Sequence, residues 1–350
     1  MPESPREVDR RLDRAMERLV SRENGPPGAI SVVQRGGQLT VHRAGEAQVG
    51  TGAAPRKRMH MRIASTAKAF SGYVALSLVS EGKLALDDTI GEIRPDLPAA
   101  WHGATLRALL HHTAGIPDFT GSPDFAAAVA ANPLDPPPPE QLLSFVADRP
   151  LEPSAGTYKY SNSDNVIVGL MVESVLGSAY TKEIQQYVTV PLDLGRTYLY
   201  SAPSVAEPTI RGYDVGDGTG PPEDVTNLVD FGGWAWASGG VVSTPANLNR
   251  FIRAYVSGVA RLDPEDFIQR AHSEPRGPGR NAAGLAIFRY ETDCGTVYGH
   301  TGSILGYTQF MAATANGRRS VTFSINAQYA DDLLPALRRA EERAVCAALA

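Results

Sequence analysis

Apolar Val8, Leu12, Met16, Leu19 and Val20 recur at three- and four-residue intervals through an otherwise charged segment, a spacing that predicts an amphipathic helix. Ser4-Pro5-Arg6-Glu7 supplies a capping box at its start. The pattern then shortens, and 29–34 and 38–44 flank Gly36-Gly37 as a predicted hairpin. Positions 58–63 alternate as a short strand, whereas 66–81, with Phe70, Val74, Leu76 and Leu78, reads as a helix stopped by Gly82. Helical runs follow at 105–112, 141–148, 165–176 and 181–188, with the prolines of 136–139 marking a loop before one of them. Strand patterns return late, at 284–290, 295–299, 308–315 and 320–326, the last two joined across Asn316-Gly317. A closing amphipathic helix at 331–348 is expected to cover that sheet.

This order predicts an α/β lobe assembled from 1–64 and 230–350 and interrupted by a mainly helical lobe at 65–229. The sheet is therefore discontinuous in sequence, and one catalytic unit is expected at the junction of the lobes, where clefts form.

Composition removes several function classes. The chain has 350 residues, is 43% hydrophobic, and carries a net charge of −5 with no long basic run, which excludes a phosphate-backbone binder and leaves no nucleic-acid partner. No stretch reaches the roughly 18 apolar residues of a membrane span. Adjacent His111 and His112 point about 100° apart on a helix, so they do not form a helical zinc pair, and capping or packing is the better reading for both. There is no glycine-rich phosphate loop and no Gly-x-Ser-x-Gly elbow. No cofactor and no metal are expected. The N-terminus lacks a signal-peptide pattern, which favours the cytoplasm unless Met1 was added to a trimmed mature form.

The candidate chemistry lies in Ser65-Thr66-Ala67-Lys68, Tyr160-Ser161-Asn162 and His300-Thr301-Gly302-Ser303. A serine hydroxyl needs a base as it attacks, and if Ser65 opens a helix, Lys68 shares its face. The second Ser-x-x-Lys, Ser80 to Lys83, encloses Gly82 and reads as a helix terminus with a solvated lysine. Tyr160 can relay a proton, and the Asn162 amide can orient a substrate carbonyl or N–H. Gly302 removes a side chain where backbone approaches a ligand, so the Ser303 and Ser65 N–H groups are candidates for an oxyanion hole. Read singly, each string is plainer: Ser65 or Asn162 as a helix cap, Thr301-Gly302 as a bend between strands. Their combination favours chemistry.

In these motifs the chain resembles the serine penicillin-recognising family: class C β-lactamases, soluble D-Ala-D-Ala carboxypeptidases and related esterases and transacylases. Leu109-Leu110-His111-His112-Thr113-Ala114-Gly115-Ile116-Pro117-Asp118 is similar to that family's Leu-Leu-x-His-Thr-Ser-Gly-Leu stretch, and Gly239-Gly240-Val241-Val242-Ser243-Thr244 to its late Gly-Gly segment. In Val297-Tyr298-Gly299-His300-Thr301-Gly302, His300 stands where β-lactamases usually carry lysine, which points toward the soluble carboxypeptidase branch. The resemblance implies a β-lactamase/DD-peptidase-like fold, an antiparallel sheet flanked by helices with an inserted helical lobe and the active site between them. It implies Ser65 as nucleophile, Lys68 as base, Tyr160 as second proton relay, Asn162 on the acyl-side amide, and His300 with Thr301 beside the leaving group or carboxylate. Trp234 resembles the cleft-lining aromatic, with Trp236 an alternative. Cys294 and Cys346 resemble a disulfide of the secreted carboxypeptidases, which would imply an oxidising compartment, though two cysteines can equally be buried thiols.

One departure matters. The carboxypeptidases carry an arginine six residues before that cysteine, where this chain has Phe288, and neighbouring Arg289 faces the other side of a strand. An ester or internal amide substrate thereby gains weight over a free carboxylate. Three activities fit: a hydrolase of small-molecule amides, esters or peptides, a transacylase passing the same acyl group to an amine or alcohol, and a receptor that acylates and stalls.

Overall fold

The computed structural model describes residues 4–152, 155–199, 204–269 and 276–350. The first helix, α1 (Pro5–Val20), begins at the Ser4/Glu7 capping box and buries Val8, Leu12, Met16 and Leu19. Two strands follow, β1 (Gly28–Arg35) and β2 (Gln38–Gly45), paired from Gly28↔Gly45 to Arg35↔Gln38 around the Gly36-Gly37 turn. Among the described residues, α2 (Lys68–Ser80), α3 (Asn162–Leu176) and α4 (Pro245–Gly258) are the longest helices between β2 and the remaining strands of the main sheet. Those are β3 (Ile268–Gln269), β4 (Arg280–Ala283), β5 (Phe288–Thr292), β6 (Gly295–Ile304), β7 (Tyr307–Ala313) and β8 (Arg319–Ile325), and α5 (Leu334–Leu349) closes the chain.

The eight strands form one antiparallel sheet in the order β2-β1-β8-β7-β6-β5-β4-β3. The N-terminal hairpin thus joins the C-terminal strands through the β1–β8 ladder, Ala29↔Ile325 to Arg35↔Arg319. Alternation puts apolar side chains on both faces. On β7, Phe310 and Ala312 pack with α1 and α5, while Met311 and Ala313 join the larger core built with α2, α3 and α4. Covering both faces buries all of β7 and all of β8 but Arg319, so the polar alternate positions of β8, Ser320, Thr322 and Ser324, are buried along with Val321, Phe323 and Ile325.

Several boundaries differ from the sequence expectation. The strand expected at 58–63 shrinks to Met61–Arg62, and Ser65 sits in a 3₁₀ turn, Ala64–Ala67, that only becomes α-helical at Lys68. The strand expected at 284–290 is broken because Ala286 adopts φ +56°, so β4 ends before it and β5 begins after it. His300-Thr301-Gly302 does not follow a strand but lies within β6. The 181–188 helix is a short α-turn, Tyr180–Glu183, continued by a wider π-turn, Ile184–Thr189.

Cys294, in the β5–β6 turn, is disulfide-bonded to Cys346 of α5, with Cα atoms 5.2 Å apart. Among the described residues no helix is long and apolar enough to cross a membrane.

Candidate active site

Ser65 owes its position to a strained turn. Ala64 before it has φ +51°, a left-handed conformation that a residue with a Cβ adopts at some cost. The strain sets the Ser65 hydroxyl into a cavity while Ala64, Thr66 and Ala67 are buried. Three residues on, Lys68 is fully buried at the start of α2, and its Nζ lies 3.3 Å from Ser65 Oγ.

The lysine amine is held from two further directions. It donates to Asn162 Oδ1 and to the Ser238 carbonyl, each at 2.6 Å, and stands 4.9 Å above the Tyr160 ring. Burial dominates its titration and lowers it to about 7, against Asp118 and Asp164, which favour the charged form, and with Arg276, which disfavours it. A substantial fraction of Lys68 is therefore uncharged near neutrality. Burial pushes the Tyr160 phenol in the opposite sense, far above its usual range, with a hydrogen-bonding contact to Ser65 working against the rise. The phenol thus keeps its proton over the working range.

Tyr160 is braced from below. His112 closes the 106–111 helix in the left-handed conformation, its ring 4.5 Å from the Tyr160 ring and its Nδ1 2.9 Å from Asp164 Oδ2. His111, by contrast, is buried with its Nε2 2.7 Å from the Asp266 carbonyl, a packing role.

β6 completes the other wall. A Cβ at Gly302 would fall 2.8 Å from Ser65 N and Ile63 O, so this strand passes the nucleophile turn backbone to backbone. Ser303 lines the same space as Ser65. His300 is buried against the Phe288 ring at 4.9 Å and its Nδ1 meets the Thr301 carbonyl, and both residues border the cavity.

The residues singled out in the sequence thus come together: Ser65, Tyr160, Asn162, Trp234, His300, Thr301 and Ser303 line two spaces that share Ser65, and Lys68 lies buried behind them against Ser65 and Asn162. The Asn162 amide, expected to face substrate, is already engaged, with Oδ1 on Lys68 and Nδ2 donating to Asp118 at 3.0 Å and Thr120 at 3.0 Å. Trp234 borders the cavity and donates to the Asn132 carbonyl, whereas Trp236 packs against Tyr180 and Gly169. Ser80 ends α2, Gly82 turns at φ +68°, and Lys83 pairs with Glu81 at 2.7 Å, as expected of a helix terminus.

Two charged groups escaped sequence reading. Asp118 closes the Leu109–Asp118 stretch and lines both spaces, and Arg276 lines them as well. Asp118 was visible as the last polar position of a quoted motif. Arg276 had no such signal, because a long side chain from a Pro/Gly-rich loop reaches the site only through tertiary folding. It also supplies a cation that Arg289 does not, since Arg289 lies over the Phe267 ring and beside Glu291.

A family model described as Beta-lactamase matches residues 8–344. Penicillin-binding protein 4* of Bacillus subtilis (strain 168) is 25% identical over 336 residues, which cover 90% of this chain and 71% of that protein. Among solved structures, a D-stereospecific amidohydrolase from Streptomyces sp. superposes with a TM-score of 0.78 at 26% identity, covering 94% of this chain and 97% of that one. The D-amino acid amidase from Ochrobactrum anthropi SV3, complexed with L-phenylalanine, superposes at 0.82 with 21% identity over 97% and 98% of the two chains, a likeness of fold. The chain belongs to the Beta-lactamase family and is a serine hydrolase of that kind.

Proposed function

We propose that Ser65 is acylated by an amide or ester of a small D-amino acid and that water then releases the acyl group. The observation that carries this is the buried Lys68 amine, 3.3 Å from Ser65 Oγ and titrating at about 7. Uncharged Lys68 takes the hydroxyl proton as Oγ bonds to the substrate carbonyl carbon. The resulting oxyanion faces the backbone N–H groups of Ser65 and Ser303, across the contact that Gly302 permits. Tyr160 passes its proton to the leaving nitrogen or oxygen as the C–N or C–O bond breaks and recovers one from the Lys68 ammonium, so the proton taken from Ser65 ends on the leaving group. Water repeats the sequence in reverse, giving the free acid and restoring Ser65.

The substrate class follows from Asp118, a carboxylate bordering both spaces beside Ser65. It suits a free α-amino group on the acyl side. The named D-stereospecific amidohydrolase supports the D configuration. Asn162 then acts by fixing Lys68 against Asp118, and Trp234 by lining the acyl side of the site. His300 and Thr301 border the leaving-group side.

The two sequence-discontinuous lobes, 1–64 with 230–350 and 65–229, meet in this reading along the same cleft. The Cys294–Cys346 bridge supports an oxidising compartment over the cytoplasm. Intact-mass measurement after exposure to D-phenylalanine amide, an activated ester and a penicillin, with and without an amine acceptor, tests the assignment. A mass gain lost in Ser65→Ala is expected, and an unchanged adduct in that variant would refute it. Product that depends on the acceptor would identify transfer in place of hydrolysis.

A further inference from the structure

Two spaces meet at Ser65. Ser65, Asp118, Tyr160, Arg276 and Ser303 border both, and so mark the junction. One space continues toward Trp234 and Phe125. The other, about 190 Å³, is bordered by His300 and Thr301 on one strand and by Leu334, Leu337 and Glu341 of α5. The β5–β6 ladder stops at the Phe288↔Gly299 pair, so the 300–304 part of β6 has no β5 partner, and His300 to Ser303 border this space together with residues of α5.

Glu341 has no part in the chemistry described above. It is 2% exposed, its Oε2 has no hydrogen-bond partner among the described residues, and burial pushes its carboxyl to about 8, with Arg338 acting the other way. Arg338 spends its guanidinium donors on the carbonyls of Gly277 and Gly279. A buried carboxyl oxygen without a partner is costly, and one at the end of a cavity is satisfied by whatever fills that cavity.

We propose that this space is the leaving-group subsite and that Glu341 selects amine leaving groups ending in a primary ammonium on a short alkyl chain. The proposal rests on acylation at Ser65. Leu334 and Leu337 give the space apolar walls for methylenes, and Glu341 gives it an acidic end. An ammonium there pairs with the orphan oxygen and ionises the carboxyl, replacing an unsatisfied group by a charge-assisted hydrogen bond. Arg276 borders both spaces whereas Glu341 borders only this one, and the cation that acts on the Glu341 carboxyl is Arg338. In the reaction, the acyl C–N bond breaks, the Ser65 Oγ–C bond forms, and the diamine departs with the relayed proton on its released nitrogen.

The test uses butane-1,4-diamine and butylamine, which differ only in the distal ammonium. Titration calorimetry on the Ser65→Ala protein, which needs no turnover, is expected to show the diamine binding about tenfold tighter, the worth of one charge-assisted bond. Glu341→Gln, which keeps the shape, and Glu341→Leu, which keeps the apolar fill, should each abolish the difference. Equal binding of the two amines, or a preference that survives both substitutions, would overturn the subsite. In the Ser65 protein, the D-phenylalanyl amide of the diamine should be cleaved with a kcat/KM about tenfold above that of the butylamide, falling to parity in Glu341→Gln. Absence of a Ser65 adduct with either amide would overturn the parent mechanism, while the calorimetry decides the role of Glu341 independently.

Discussion

Gly302 and Ser65 touch through their backbones: a methyl group on Gly302 would lie 2.8 Å from the Ser65 amide nitrogen and 2.8 Å from the Ile63 carbonyl oxygen. Neither atom belongs to a side chain that can swing away. Gly302→Ala must therefore push β6 from the turn and spoil the oxyanion contacts, which are worth about a hundredfold or more in kcat. Steady-state kinetics should show that loss with KM little changed, and a variant within a fewfold of wild type would mean that this strand does not hold the oxyanion.

Asn162 Oδ1 accepts from Lys68 at 2.6 Å, so the charge at position 162 sets the charge on the amine. Asn162→Asp places a carboxylate there and favours the ammonium form by about one pKa unit or more. The acylation profile should then move toward alkaline pH, with roughly tenfold less activity at pH 7. An unmoved profile would show that Lys68 protonation does not control the step.

Tyr160 keeps its proton and sits against the His112–Asp164 pair, an arrangement suited to donating to a leaving group. Tyr160→Phe should cost about a hundredfold on an amide, whose nitrogen must be protonated, and much less on an activated ester. Equal losses on both substrates, measured as kcat/KM, would assign Tyr160 to the Ser65 side of the transfer instead.

Glu341 makes stability depend on pH. Its carboxyl rises from the ordinary 4.5 to about 8 in the fold, so between those values the folded chain holds a proton that the unfolded chain releases. This contribution is complete below pH 4.5 and is lost as pH climbs through 8. Glu341→Gln should flatten that fall, and thermal melts of the two proteins at pH 5 and pH 8.5 check it. An identical pH slope in both would show that the carboxyl is not protonated in the native state.

The sequence carried much of this because the relevant signals are local. Ser65 to Lys68, Tyr160 to Asn162 and His300 to Ser303 are short strings whose spacing survives any fold, and Gly36-Gly37 and Asn316-Gly317 announce their hairpins. The strand ends were less legible, because Ala286 breaks 284–290 through a left-handed backbone that its side chain does not advertise. Arg276 and Glu341 were hidden for a different reason. On α5, Glu341 reads as one polar position among several on an amphipathic helix, and only the gap beside β6 turns it into a buried carboxyl. Asn162 was recognised as a site residue, but its partners, Lys68 and Asp118, lie 94 and 44 positions away.

The uncharged amine of Lys68 beside the Ser65 hydroxyl is the claim on which the mechanism stands. Single-turnover acylation of Ser65 by an activated ester, followed as mass gain from pH 5 to pH 9, measures it most directly. The rate should climb as Lys68 loses its proton, with a midpoint at about 7, and fall about a hundredfold or more in Lys68→Ala. A flat profile across that range, or unimpaired acylation in Lys68→Ala, would contradict it.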